Sequence, residues 1–257
     1  MRLLLAALIF CLTSGQAVAQ QGLHAPWDRL LGTYVSRGED GVNRFDYKAV
    51  TAPDRAALQT YLATLQTTQV STLSRDAQMA FWINLYNALT VKVVLDAYPV
   101  GSIREIRNGL ISIGPWKKER VRVEGRDMSL NDIEHDTLRA QWTDPRIHYA
   151  VNCASWSCPD LQNTAFTADN LDALLDQAAR AYINHPRGAW FEGDGLHVSS
   201  IFKWYKADFG GTDQAVIAHL KQYAEADLRA RLDQTDEIEG TDYDWTLNEP
   251  GKGKGDW

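Results

Sequence analysis

Two cysteines, Cys153 and Cys158, stand in the run Arg146-Ile147-His148-Tyr149-Ala150-Val151-Asn152-Cys153-Ala154-Ser155-Trp156-Ser157-Cys158-Pro159, and His148 precedes the first of them by five residues. A thiol beside an imidazole makes a nucleophile and a base that work without a cofactor, and the chemistry of such a pair is acyl or amide hydrolysis or transfer. The same two cysteines carry two other possibilities. A structural Cys153–Cys158 disulfide would pin the loop between them, stabilising by about 2–3 kcal/mol. Alternatively the pair could cycle between dithiol and disulfide, although its spacing is not the Cys-x-x-Cys of thioredoxin-like proteins.

The alternation from Arg146 to Asn152 predicts a half-buried strand, and Pro159 suits the first position of a helix that opens after the turn. A cysteine between a strand end and a helix start lies near free backbone N–H groups and a helix dipole, both of which favour thiolate. On a strand, His148 and Cys153 are an odd number of residues apart and point to opposite faces unless the strand ends or bulges between them. Two other histidines could serve as base. His135 sits beside Glu134 on the preceding helix, and His197 with Asp208 gives the chain order Cys, His, Asp.

Further polar groups converge on the same chemistry or on plain structure. Glu134, His135 and Arg139 share a helix, with His135 and Arg139 four apart on one face. They could supply a general base and an anion-binding guanidinium, or only a solvated charged face. Asn84 and Asn87 are three apart in a helix that is apolar nearly all round, so their amides are buried and bonded to something. They could orient an imidazole, donate to an oxyanion, or bridge the helix to neighbouring backbone. Trp204, Tyr205 and Phe209 could line a ligand groove or fill a core. No His-Glu-x-x-His or similar ligand spacing occurs, so neither a metal nor a cofactor is expected.

The elements that must hold these residues are mostly helical. Helices are predicted over 24–35, 53–66, 75–97 (capped by Ser74 and stopped at Tyr98-Pro99), 130–141 (opened by the Ser129-Leu130-Asn131-Asp132 box) and 170–183. A last helix is predicted over 214–226, with one helical turn over 102–107 and a short helix over 201–205. Strands are predicted over 116–123 and, as a hairpin around Gly193-Asp194-Gly195, over 189–191 and 196–199. Phe45-Asp46-Tyr47 and Asp242 to Asn248 read as short strands or extended arms. The strands follow no βαβ spacing, so the class is α+β: one domain over 20–248, helices around a small mixed or antiparallel sheet, loosely like thiol-hydrolase folds.

The chain has 257 residues, 45% of them hydrophobic, and a formal charge of −7. That acidity argues against binding a phosphate backbone, so no nucleic-acid partner is expected. Arg2, the apolar run Leu3 to Leu12 and Ala17-Val18-Ala19 form a secretory leader pattern with cleavage after Ala19. Its apolar run is too short to span a bilayer, which takes about 20 residues. A periplasmic or secreted protein follows, with Cys153 and Cys158 as its remaining cysteines and a disordered tail over 249–257. The expected partner is a small-molecule or peptide substrate of undefined identity, and the oligomeric state is not specified. A non-catalytic envelope binding or assembly module is the alternative.

Several ordered motifs resemble the family known as domain of unknown function 547. They are Phe81-Trp82-Ile83-Asn84-Leu85-Tyr86-Asn87-Ala88, Ser129 to His135 with Leu138-Arg139, Pro145 to His148 with Asn152 to Ser155 and Ser157 to Pro159, Phe202 to Tyr205 with Asp208 to Gly210, and Tyr243-Asp244-Trp245. The resemblance runs from about Gly32 to Asn248. It implies one shared fold and no mechanism.

Overall fold

The computed structural model describes residues 22–107 and 114–252. The leader pattern over 1–19, most of the Gly109–Gly114 loop and residues 253–257 of the tail lie outside them.

The fold is mixed α+β and is built around one helix. Helix α1 (22–34) buries Trp27, Leu30, Leu31 and Tyr34. It leads into the hairpin β1 (Val35–Arg37) and β2 (Asn43–Phe45) and then to α2 (Ala52–Thr67), capped by Thr51. Helix α3 (Arg75–Ala97) follows, with Ser74 accepting the Ala77 N–H as its N-cap. Phe81, Ile83, Leu85 and Ala88 in its middle are fully buried, which is why an all-round apolar sequence is helical here: every face has a neighbour.

The hairpin β3 (Val121–Val123) and β4 (Arg126–Met128) comes next. The predicted helix over 130–141 is present, but its core, Asp132–Leu138, is π-helical, continued by α4 (Arg139–Gln141). Its start is the reciprocal box foreseen from sequence: Ser129 donates its N–H to Asp132 Oδ2 (2.7 Å) and accepts the Asp132 N–H on Oγ (3.2 Å).

A second core gathers Tyr149, Tyr182, Val198, Phe202, Phe209 and Leu220. It is enclosed by α6 (Leu171–Ile183), β5 (Ala189–Glu192), β6 (Gly195–Ser199), α7 (Ile201–Trp204), a 3₁₀ turn (Lys206–Phe209), α8 (Asp213–Tyr223) and α9 (Ala226–Leu232). Strand β7 (Gly240–Asp242) adds to β6 in parallel, so the expected sheet is realised as two separate hairpins and one three-stranded mixed sheet.

Three expectations are corrected. The strand predicted from Arg146 to Asn152 is a helical turn, α5 (Ile147–Ala150). Just before it Asp144 Oδ1 accepts the Arg146 N–H at 2.9 Å, and the N–H groups of Ile147, His148 and Tyr149 bond three residues back. All four residues of α5 are buried, so the alternation in their sequence had no solvent face to mark. No helix opens at Pro159: the chain is irregular until Leu171, and the Pro159 carbonyl accepts from Asn152 Nδ2 at 2.7 Å. The helix predicted over 214–226 ends at Tyr223, and α9 follows it. Asn184 explains the break, donating to the Tyr223 carbonyl (2.9 Å) while accepting the Glu225 N–H (2.7 Å).

Candidate active site

The cysteine loop runs over 151–159 and is fixed from three sides. From α3, Asn87 donates to the Ala150 carbonyl (2.9 Å) and accepts the Asn152 N–H (2.8 Å). Asn152 in turn accepts the Ala154 N–H (2.8 Å), holding Ala154 at φ 62°, a left-handed conformation unusual for a residue with a Cβ. From beneath, the buried guanidinium of Arg187 donates to the carbonyls of Trp156 (3.0 Å) and Cys158 (2.9 Å) and pairs with Asp160 (2.8 Å). The C-terminal arm crosses the loop, with Thr246 and Asp244 carbonyls accepting the N–H groups of Trp156 (2.8 Å) and Ser157 (3.1 Å), and Asn248 donating to Ala154 (2.9 Å). The stretch predicted over 242–248 is thus an extended arm whose role is to hold the thiol loop.

Cys153 and Cys158 are free thiols with no disulfide between them. Their sulfurs lie 2.9 Å apart, well beyond a covalent S–S bond of about 2.05 Å. Cys153 Sγ also meets Ser155 Oγ at 3.0 Å and the Tyr243 hydroxyl at 3.1 Å, and the Cys153 N–H donates to Cys158 Sγ at 2.9 Å. Burial alone would push the Cys153 thiol up, but the bonds from Cys158, Ser155 and Tyr243 outweigh it and hold it down at about 7. Cys158 moves the opposite way, raised by burial and by the charge on Cys153. Cys153 is therefore the more acidic of the two thiols, with Cys158 its partner at 2.9 Å. The helix N-terminus expected to do this work is absent, and side-chain contacts with Cys158, Ser155 and Tyr243 replace it.

His148 shares a cavity of about 230 Å3 with Cys153. Its Nε2 lies 2.7 Å from Asp208 Oδ2, and its ring stacks on Tyr205 at 4.1 Å with Phe209 at 5.4 Å. Arg139 grips the same carboxylate through Nε (2.5 Å) and Nη2 (2.9 Å). The His148 contact and then the Arg139 contact hold the Asp208 carboxyl well below the usual carboxylate range. Asp208 thus partners His148 and not His197, which lies on β6 stacked against Trp190 at 5.4 Å. Arg139, read from sequence as an anion binder, is committed to Asp208.

Glu134 and His135 both line the cavity, a consequence of the wider π-helical turn that carries them. Arg139 Nη1 lies 3.2 Å from His135 Nδ1. A guanidinium can only donate, so that nitrogen accepts and the His135 proton sits on Nε2. Trp204 and Tyr205 line the cavity with Tyr86, Trp116, Tyr243 and Trp245, whereas Phe209 belongs to the second core. Asn84 stays away from it, donating to the Phe166 carbonyl (2.7 Å) and accepting the Phe166 N–H (3.1 Å). Asn87 acts on the thiol through loop backbone.

Sequence reasoning missed Ser155 and Tyr243 as thiol donors and Arg187 with Asp160 as the loop anchor. The last pair is 27 residues apart with no local pattern to mark it, and the Trp156 and Tyr182 rings meet Arg187 only in the fold. Among the described residues no cluster of three or more His, Cys, Asp or Glu could hold a metal ion, and no helix is long and apolar enough to cross a membrane.

Residues 70–183 match the model of a family described as "Protein of unknown function, DUF547", which supports the resemblance read from the motifs. The matched segment contains α3, the Ser129 box, the π-helix, the cysteine loop and α6. Asp208 and Tyr243 lie beyond it. No curated protein and no solved structure matches the chain.

Proposed function

We propose that the cavity is the active site of a cysteine-dependent acyl or amide hydrolase or transferase. The observation that carries this reading is the His148–Asp208 pair opening onto the cavity where Cys153 is held as the more acidic of two thiols. With Nε2 engaged by Asp208, Nδ1 of His148 is the nitrogen left to take the thiol proton. His135 is the weaker candidate base because its Nδ1 lone pair is occupied by Arg139.

In the reaction, Cys153 Sγ forms a bond to the acyl carbon and its proton moves to His148. The tetrahedral adduct then collapses, the carbon–nitrogen or carbon–oxygen bond breaks, and the leaving group takes that proton. Water or an acceptor amine next attacks the thioester, passes its proton to His148 and releases Cys153. Asp208 keeps the imidazole in the productive tautomer and stabilises it when charged.

The test uses the purified protein and p-nitrophenyl acetate as a generic acyl donor. The expected result is a burst of one nitrophenolate per chain with an acetyl group on Cys153, read by peptide mass spectrometry. That burst disappears in Cys153→Ser and slows by about 100-fold or more in His148→Asn, the range general-base catalysis supplies. Acetylation of Cys153 no faster than that of a free thiol, or equally fast in His148→Asn, overturns the reading. Export rests on the leader pattern over 1–19, and sequencing the N-terminus of protein recovered outside the cytoplasm tests it: a start at Gln20 is expected.

A further inference from the structure

The groups that line the cavity beside Cys153 are unlike those of an anion or neutral-acyl site. Its walls are aromatic. Trp204 and Trp245 stack with centroids 5.6 Å apart, Tyr243 lies 4.8 and 4.7 Å from them, and Trp116 meets Trp245 edge-on at 5.7 Å. Trp204 is 48% exposed, a large apolar ring left in solvent at the rim. The side chain deepest in charge terms is Glu134, whose residue is only 5% exposed. Its carboxyl accepts from the Tyr205 hydroxyl, and burial, with that carboxyl second, holds the phenol up. Among the described residues Glu134 has no ion-pair partner, and no lysine or arginine lines the cavity.

A buried carboxylate without a countercharge is costly unless something cationic completes it. The faces of Trp and Tyr carry the negative side of the ring quadrupole and attract cations. The nearby guanidiniums do not pair with it: Arg139 feels the Glu134 charge but closes on Asp208, and Arg104 sits over the Trp245 ring at 5.3 Å.

We infer that this cavity binds an ammonium group, set against the Trp204 and Tyr243 rings at the rim and neutralised by Glu134, so that the substrate of the thiol site is an amine-bearing compound. The inference rests on the acyl-transfer reading for what happens to that compound, but not for its binding. An ammonium held here lies in the same small cavity as Cys153. An amine-bearing acyl donor, or an amine acceptor that loses its proton before attack, would both satisfy the lining.

Binding is measured by calorimetry and by quenching of tryptophan fluorescence on the Cys153→Ser protein, which removes the nucleophile and leaves the lining. The probes are choline and its neutral isostere 3,3-dimethylbutan-1-ol, in which carbon replaces the charged nitrogen. Choline is expected to bind at least about 10-fold more tightly, a difference of about 1.4 kcal/mol. That preference should collapse in Glu134→Gln, and affinity should weaken in Trp204→Ala, whose exposed position makes misfolding no escape. Equal binding of the two probes, preference for the isostere, or no binding of choline overturns the inference. Because no chemistry is measured, that failure would leave the acetylation test of Cys153 standing, and failure of acetylation would leave the ammonium site standing.

Discussion

His148 Nε2 sits 2.7 Å from Asp208 Oδ2, joining the α5 turn to the 3₁₀ turn sixty residues later, and Arg139 closes on the same carboxylate from the π-helical side. One carboxylate therefore orients the imidazole and neutralises the guanidinium. Asp208→Asn keeps the shape but loses the charge. Its side chain is a quarter exposed, so the stability cost should fall short of the 3–5 kcal/mol of a fully buried pair and come to about 1–3 kcal/mol at pH 7. The sign with pH follows from the depressed carboxyl. Asp208 contributes stability above its unfolded value of about 3.9, and that contribution fades as pH falls toward the folded value. Urea melts of the two proteins should therefore differ at pH 6–7 and converge below about pH 4. A gap that persists unchanged into acid would contradict the ion-pair account.

The acidity of Cys153 makes a second prediction. Three donors hold its thiol at about 7 against burial, so the rate of iodoacetamide alkylation in the native protein should rise through a midpoint near pH 7. An unperturbed cysteine titrates nearer 8.5. Tyr243→Phe removes the 3.1 Å bond and should move the midpoint up by about one pH unit, as should Ser155→Ala. Midpoints unmoved in both variants would show that these hydroxyls do not stabilise the thiolate.

Asn84 and Asn87 look alike in sequence and separate in the structure, which allows a paired test. Each clamps one backbone N–H and one carbonyl, so replacing either by alanine strands two buried groups and should cost about 2–4 kcal/mol in chemical denaturation. Reactivity should distinguish them. Asn87 holds the backbone that presents Cys153, so Asn87→Ala should slow alkylation, whereas Asn84→Ala, anchored on Phe166, should leave the folded protein's rate unchanged. Equal effects on alkylation would remove the distinction.

Much of this arrangement was legible in local chemistry. Ser74, the apolar run of α3, the Ser129 box and the Gly193-Asp194 turn each carry a signal set by a few neighbouring residues, and each element formed where that signal lay. Asn84 and Asn87 were rightly read as buried amides with partners, because burial follows from the helix around them. The Arg146–Asn152 stretch misled because periodicity reports which face meets water, and α5 has none. His197 was plausible by chain order alone, but order does not bring side chains together. The π-helical turn that puts both Glu134 and His135 into the cavity, and the Tyr243 hydroxyl that reaches Cys153 across ninety residues, depend on tertiary contacts no window of sequence contains.

Arg187 yields the last prediction. Its side chain is 1% exposed and its guanidinium serves five groups at once: the carbonyls of Trp156 and Cys158, the carboxylate of Asp160, and the ring faces of Trp156 and Tyr182 at 5.7 Å. Asp160 also accepts the Asn43 N–H at 3.2 Å, so the ion pair ties the cysteine loop to the β1–β2 hairpin. Arg187→Met removes the charge and leaves Asp160 buried alone, which should cost about 3–5 kcal/mol. Arg187→Lys should rescue little, since a single ammonium cannot span two carbonyls and a carboxylate with the planar fork they now meet. The double variant Arg187→Met with Asp160→Leu removes both charges and should recover part of the loss, because no lone charge remains buried. Thermal melts of the four proteins decide it. If the double variant is no more stable than Arg187→Met, the cost lies in the freed carbonyls of the cysteine loop, and Cys153 alkylation should then lose its low midpoint in both.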